Sequence, residues 1–216
     1  MISFTNQISG MPVTATDGEI GHVADVLFDA QNWRLLYLDA ATGWLFGRDV
    51  LVPVEKVARI EIPSGPVEVA RTRQEVEHSP ALDASGAFNE AYEKQLLAYY
   101  GIREAAPGLG PARSAWLAPM RAREIAGYKL DTAGEIVGTV QDIVFDLDNW
   151  RISSFIADIR GGFLAHDTAE IGIGPVTGLD RGRRILHLAT SKEAIGRLSR
   201  LSDDELPYVF PEVPSD

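Results

Sequence analysis

The sequence predicts a mainly β protein with accessory helices, made of two copies of one small module in tandem. Short runs of apolar, often β-branched residues alternate with turns rich in glycine and polar residues, as expected for short strands. The same pattern recurs at an offset of about 117 residues, which indicates an internal duplication. Segments with helical periodicity are few and follow the strands of each copy.

The duplication is clearest in a hairpin near the start of each copy. Residues 23–29 read Val-Ala-Asp-Val-Leu-Phe-Asp, and residues 140–146 read Val-Gln-Asp-Ile-Val-Phe-Asp. Asn-Trp-Arg follows in both copies, at 32–34 and at 149–151. Chance rarely places so many identical residues at one offset, so we infer that one module has been duplicated.

The first copy illustrates the predicted strands. A strand over 23–28, a polar turn and a second strand over 33–38 form a predicted β-hairpin. A third strand-like run over 49–54 contains Pro53, which cannot donate to a strand ladder and suits a strand end. Its counterpart at 170–176 is interrupted by glycine and is predicted to be weaker. Five or six short strands per copy favour a small barrel, because closure removes exposed edges.

Helices are predicted after the strands. Thr72 and Ser191 are hydroxyl residues suited to helix N-caps, and a clearer helix is predicted over 87–100. Its apolar face comprises Phe88, Tyr92, Leu96 and Tyr99. The whole chain then divides into a first barrel over 1–80, a helix and Ala/Gly/Pro-rich linker over 81–119, a second barrel with a C-terminal helix over 120–201, and an acidic tail over 202–216.

The order of these motifs resembles the PRC-barrel family. Glycine, Glu-Ile-Gly, a Val-x-Asp strand ending in aspartate, a turn, another strand and Val-Leu-Val-Pro-Val carry the resemblance, over about 8–76 and 125–195. It implies two small PRC-type β-barrels in tandem. The family includes the cytoplasmic domain of the photosynthetic reaction-centre H subunit and the C-terminal domain of a ribosome-maturation factor, and its members act mainly as interaction modules. The membrane-spanning helix of the former and the N-terminal domain of the latter have no counterpart in the sequence, so we expect neither role to transfer.

Composition restricts the classes of partner. The formal net charge is −11, which repels nucleic-acid phosphates and anionic membranes, so we expect no nucleic-acid partner. No apolar run approaches the ~18–20 residues that cross a bilayer, so we expect no membrane insertion. The chain has no cysteine, which excludes disulfides and thiolate chemistry and favours a cytoplasmic location. Residues 1–10 lack the features of a signal peptide.

No catalytic set stands out. Nucleophilic or general-base chemistry needs a base held by a third group within hydrogen-bond reach. Ser79 and Asp83 lie close to His78 in the sequence, but adjacent side chains rarely converge. A solvated loop is favoured for 166–170. We therefore predict a protein that is not an enzyme and has no cofactor. The histidines considered are His22, His78, His166 and His187.

The aspartates repeated in both copies leave an alternative open. Asp25 and Asp29, like Asp142 and Asp146, are four apart in a predicted strand and share a face, and hard cations such as calcium take oxygen ligands. The loop lacks the EF-hand spacing. We favour the interpretation that the second aspartate of each pair ends its strand and bonds turn amides. The repeated Trp33 is likewise interpreted as core packing.

The predicted function is that of a non-enzymatic module that binds an unknown protein partner or associates with itself as a homodimer. The predicted partner-binding residues are Trp44, Leu45 and Phe46, a cluster of large apolar groups in a loop. Folding of this loop over an open barrel end explains the cluster equally well. The helix over 88–100 and the acidic tail are further candidates for contact with a partner. The alternative function is small-ligand or metal binding through the repeated aspartates.

Overall fold

The structure is a computed structural model of the chain, and it describes residues 2–43, 48–62, 65–82, 88–102, 117–161 and 165–195. The chain forms two compact units, each assembled from segments that are separate in sequence. The first unit comprises the described residues of Ser9–Glu124 and Leu147–Arg151, and the second comprises those of Met1–Ile8, Ile125–Asp146 and Ile152–Asp216.

Strands dominate the described residues, which confirms a mainly β protein with accessory helices. In chain order the strands are β1 Ile2–Ser3, β2 Pro12–Ala15, β3 Gly18–Asp29, β4 Arg34–Ala41, β5 Asp49–Pro53, β6 Val57–Ile60, β7 Val67–Val69, β8 Met120–Arg121, β9 Lys129–Thr132, β10 Glu135–Asp146, β11 Arg151–Gly161, β12 Ala165–Gly172, β13 Val176–Asp180 and β14 Ile185–Leu188. The helices are α1 Arg73–Glu77, α2 Glu90–Tyr99, α3 Ala122–Ile125 and α4 Lys192–Ile195, with a π-helical turn at Phe4–Ile8 and a 3-10 turn at Val54–Lys56. Among these described helices none is long and apolar enough to span a bilayer.

Both units have the same strand order. It is β5-β4-β3-β2-β7-β6 in the first unit and β12-β11-β10-β9-β14-β13 in the second. β7 runs parallel to β2, and β14 runs parallel to β9 in the same way. Among the described residues no pairing joins the ends of either order, so both sheets are open paths. The duplication inferred from the sequence is therefore matched strand for strand.

A glycine in each long strand lies where no side chain fits. A Cβ atom at Gly21 would lie 2.1 Å from the carbonyl oxygen of Ala41, and one at Gly138 would lie 2.2 Å from that of Asp158. Each glycine adjoins a break in register with the preceding strand. Such bulges bend a strand, and glycine allows a neighbouring backbone to approach closely. This geometry explains the glycine that ends the Glu-Ile-Gly motif.

Helix α2 packs on the sheet of its own unit. Its N-cap is Asn89, whose side chain accepts a hydrogen bond from Tyr92 N at 2.9 Å. Tyr92 and Leu96 are buried against side chains of β3, β4 and β5, as the predicted apolar face requires. Tyr99, placed on that face by the prediction, is 40% exposed, and Tyr100 is buried instead at 1%. The buried ridge therefore follows i, i+4 spacing to the end of the helix.

The turn after the first long strand has the form predicted from its aspartate. Asp29 accepts hydrogen bonds from Gln31 N at 2.8 Å and from the Asn32 side-chain amide at 2.9 Å. The turn ends on Trp33 and, in the second copy, on Trp150, which adopt left-handed φ values of 58° and 56°. Both tryptophans are half-buried, and Trp33 stacks on the buried ring of Phe28 with the ring centroids 5.9 Å apart. Core packing is therefore confirmed in part for Trp33, and its repetition also reflects the turn.

Candidate functional site at the exchanged first strands

The first strand of each copy belongs to the unit formed mainly by the other copy. β1 begins the first copy in sequence but pairs with β10 of the second unit, with Ile2 opposite Phe145. β8 begins the second copy and pairs with β3 of the first unit, with Met120 opposite Phe28. Phe28 and Phe145 are equivalent positions of the duplication. The exchange of first strands is therefore reciprocal and has the same register in both units.

We call the two strand edges that receive the exchanged strands slots. The first slot is the edge of β3 at Leu27–Phe28 together with Asp25. The second slot is the edge of β10 at Val144–Phe145 together with Asp142. Each slot lies on the half of the long strand that the preceding strand, β2 or β9, does not cover.

In the second slot, apolar burial and one hydrogen bond hold the segment of residues 2–8. Phe4 and Ile8 are 1% and 0% exposed. The Ser3 hydroxyl donates a hydrogen bond to Asp142 Oδ2, while Asp142 Oδ1 accepts a hydrogen bond from Ile143 N at 2.9 Å. The carboxylate thus uses one oxygen on its own strand and the other on the exchanged strand.

The first slot has the same plan. Asp25 Oδ1 accepts a hydrogen bond from Val26 N at 2.8 Å and another from Arg123 N, in the exchanged segment, at 3.4 Å. Met120 is fully buried there. An aspartate repeated in both copies therefore contacts the exchanged segment in both units, and this contact explains its repetition.

A buried charged cluster distinguishes the first slot from the second. Asp39 lies directly opposite Asp25 on the neighbouring strand, and the Arg121 guanidinium donates to Asp39 Oδ2. Burial raises the pKa of Asp25 to about 6, although Val26 N, Arg123 N and the charge of Arg121 act in the opposite direction. Burial also raises the pKa of Asp39, against the hydrogen bond from Arg121. Within the described residues Asp39 Oδ1 is buried without a hydrogen-bond partner.

The second copy has different residues at these positions. Ile156 stands where the first copy has Asp39, and Ser3 takes the place of Arg121 on the exchanged strand. The acid and the base are thus both replaced, and a serine–aspartate hydrogen bond is found instead.

The residues predicted from sequence for partner or metal binding have different outcomes. Trp44, Leu45 and Phe46 lie outside the described residues, as does the tail, so their role stays a prediction. The repeated aspartates are bonded to backbone and exchanged strand as described above. In the parts of the chain that the structure describes, no group of three or more His, Asp or Glu side chains has the geometry to hold a metal ion.

The histidines lie on different elements: His22 is in β3, His78 is at the end of α1, His166 is in β12 rather than in the expected solvated loop, and His187 is in β14. His187 Nδ1 lies 2.9 Å from Asp131 Oδ2 on the second unit, and the histidine side chain is 44% exposed. His78 is the C-cap of α1, and Asp83, its proposed partner, lies outside the described residues.

Comparison with protein families identifies the repeated module. A model of the PRC-barrel domain matches the chain twice, over residues 2–75 and 120–195, which is more than half of its length. The chain belongs to the PRC-barrel family. No curated protein matches it closely enough to suggest a role. Both matches begin at the exchanged strands, so each PRC-barrel domain contributes its first strand to the other unit.

Proposed function

We propose that this PRC-barrel protein is a non-enzymatic protein-binding or assembly module that acts on another protein or on a second copy of itself. The observation that carries the proposal is the use of the slots. Each one binds a two-residue strand of the other copy, which a helical turn follows, through main-chain pairing, buried apolar side chains and an aspartate. Main-chain pairing of this kind gives affinity for a strand, and side-chain contacts select its sequence.

The buried acids support a binding role over a catalytic one. Asp25, Asp39 and Asp142 are each engaged with backbone, with an arginine or with an exchanged segment. The formal net charge of −11 favours a protein partner over a nucleic acid, and the absence of cysteine is compatible with the cytoplasm. We include closure of each sheet into a PRC-type barrel in the proposal, because bulged long strands supply the bend that closure needs.

The proposal is tested by capture of partners from an extract of the native host, with the full chain as bait. A triple alanine variant at Trp44, Leu45 and Phe46 is compared with Leu117→Ala, which removes an apolar side chain that is 51% exposed. A protein recovered with the parent chain and with Leu117→Ala, but lost with the triple variant, supports the predicted contact residues. No recovered protein, together with a monomer by light scattering at every concentration, contradicts the proposal.

Thermal unfolding distinguishes the metal-binding alternative from the proposed function. A ligand that binds only the folded state raises the melting temperature, by an amount that grows with the logarithm of its concentration above Kd. We expect calcium and chelator to leave the melting temperature unchanged. A large rise with calcium would favour the metal-binding alternative.

A further inference from the structure

We infer that the second slot also accepts residues 1–8 of a second copy of this chain, so that two copies join by exchanging their first strands. The inference rests on the proposed function and specifies its partner. The occupant is a named segment of the chain, and the receiving residues are those of the second slot.

The contacts of the segment do not depend on which chain supplies it. Within the second unit, residues 1–8 contribute the pairing of Ser3 with Val144, the Ser3–Asp142 hydrogen bond and the burial of Phe4 and Ile8. A second copy presents the same eight residues. Exchange between chains therefore replaces each contact with an identical one, which is the condition under which domain swapping joins protomers.

Charge also favours this occupant. Residues 1–8 contain no Lys, Arg, Asp or Glu, although the whole chain has a formal net charge of −11. Insertion of the segment therefore adds no like-charge repulsion within the slot, which already contains Asp142.

The segment leaves its slot at a hinge. Ile8 belongs to the second unit and Ser9 to the first, and Gly10 has a left-handed φ of 81°. Gly127, at the equivalent crossing of the second copy, has a φ of 80°. Glycine changes between such conformations at little cost, so a change at Gly10 can redirect the segment, with loss of the hydrogen bond that Gly10 N donates to Val23 O.

Tethering determines when exchange between chains is seen. The second slot of the same chain is an intramolecular competitor, and its effective concentration depends on the chain that joins Ile8 to Ile125. Exchange between copies is therefore expected at high protein concentration and after refolding of mixed chains.

The absence of cysteine from the natural chain allows a direct test by disulfide trapping. Ser3 and Val144 are directly opposite in an antiparallel pair, where Cα atoms lie about 4.5–5.5 Å apart, within disulfide range. Full-length Ser3→Cys, with an added mass tag, is mixed with untagged full-length Val144→Cys, unfolded, refolded together at high concentration and oxidised. A mixture of Ser3→Cys with Thr177→Cys is the matched control, because Thr177 lies on β13, away from the second slot.

The inference predicts a mixed, disulfide-linked dimer from the first mixture at several-fold higher yield than from the control. The double variant Ser3→Cys/Val144→Cys should close as a monomeric disulfide when refolded dilute, which verifies the pairing within one chain. The inference is overturned if the double variant forms its intramolecular disulfide but the first mixture gives no more dimer than the control. That result leaves the proposed binding of other proteins untouched, since the capture experiment tests it separately. The parent chain, refolded in the same way, should show a dimer by light scattering, and its remaining monomeric would also overturn the inference.

Discussion

Asp142 accepts a hydrogen bond from the hydroxyl of Ser3, which lies 139 residues earlier in the chain and belongs to the other copy of the module. Asp25, the same aspartate of the first copy, accepts a hydrogen bond from Arg123 N in the segment that begins the second copy. The most distinctive repeated residue of this PRC-barrel protein therefore marks the place where each unit receives a strand from outside its own copy.

The Ser3–Asp142 hydrogen bond should stabilise the second unit. A buried polar group that loses its partner destabilises a protein by about 1–3 kcal/mol, so Ser3→Ala and Asp142→Asn should each lower the free energy of unfolding. Because the two residues bond each other, their double-mutant cycle in urea unfolding should show a coupling of about 0.5–2 kcal/mol. Asp131→Asn is the control partner, since Asp131 bonds His187 instead. Equal coupling of Ser3→Ala to both aspartate changes would contradict the assignment.

The charged cluster of the first slot should be replaceable by the residues of the second copy. Arg121→Ser leaves the buried carboxylate of Asp39 without its ion pair and should destabilise the protein by about 1–3 kcal/mol, since Arg121 is itself partly exposed. Asp39→Ile combined with Arg121→Ser should recover most of this loss, because an apolar side chain replaces a buried charge. The free energies of unfolding of the single and double variants provide the check. A double variant less stable than Arg121→Ser alone would show that the two copies are not interchangeable here.

Asp25 should make stability depend on pH in a defined direction. Its pKa rises from 3.8 to about 6 on folding, so between these values the folded state binds more protons than the unfolded state. The contribution of Asp25 is therefore most favourable below about pH 4 and is lost as pH rises through about 6. Asp39, whose pKa is also raised, acts in the same direction, and Arg121 and Arg123 oppose both shifts.

Asp25→Asn isolates this effect. The variant should gain about 1–3 kcal/mol in free energy of unfolding relative to the parent chain between about pH 4 and about pH 7, at roughly 1.4 kcal/mol for each unit of pKa shift. Urea unfolding of both proteins across this range gives the difference, in which other titrating groups cancel. A difference that is constant with pH would refute the assignment of the shift to Asp25.

The glycines of the long strands should tolerate no side chain. Gly21→Ala and Gly138→Ala place a methyl group about 2 Å from a carbonyl oxygen of a neighbouring strand, so each should destabilise the protein by about 1–3 kcal/mol. Gly174→Ala is the matched control, since no atom lies within 4 Å of the Cβ it would add. Melting temperatures should fall for the first two variants and stay near the parent value for the third.

Much of the module could be predicted because its signals are local. The Val23–Asp29 hairpin strand, the amide bonds of Asp29 and the helix that became α2 all follow from periodicity and turn chemistry within a few residues. Core packing is predicted for Trp33 because a repeated aromatic in a strand pattern resembles a core residue. Its left-handed φ, however, is set by the turn.

The exchange could not be predicted from the same signals. The two slots have nearly the same sequence, so β1 and β8 fit either one by local pattern, and the choice depends on the path of the chain. The Asp39–Arg121 ion pair was missed for a related reason, since its partners lie 82 residues apart and come together only through the exchange.

The reciprocal exchange is tested most directly by nuclear Overhauser effects in the isotope-labelled full chain. The structure predicts cross-strand contacts of Ser3 with Val144 and of Arg121 with Leu27. Contacts of Ser3 with Leu27 and of Arg121 with Val144 would mean that each copy keeps its own first strand, and would contradict the exchange.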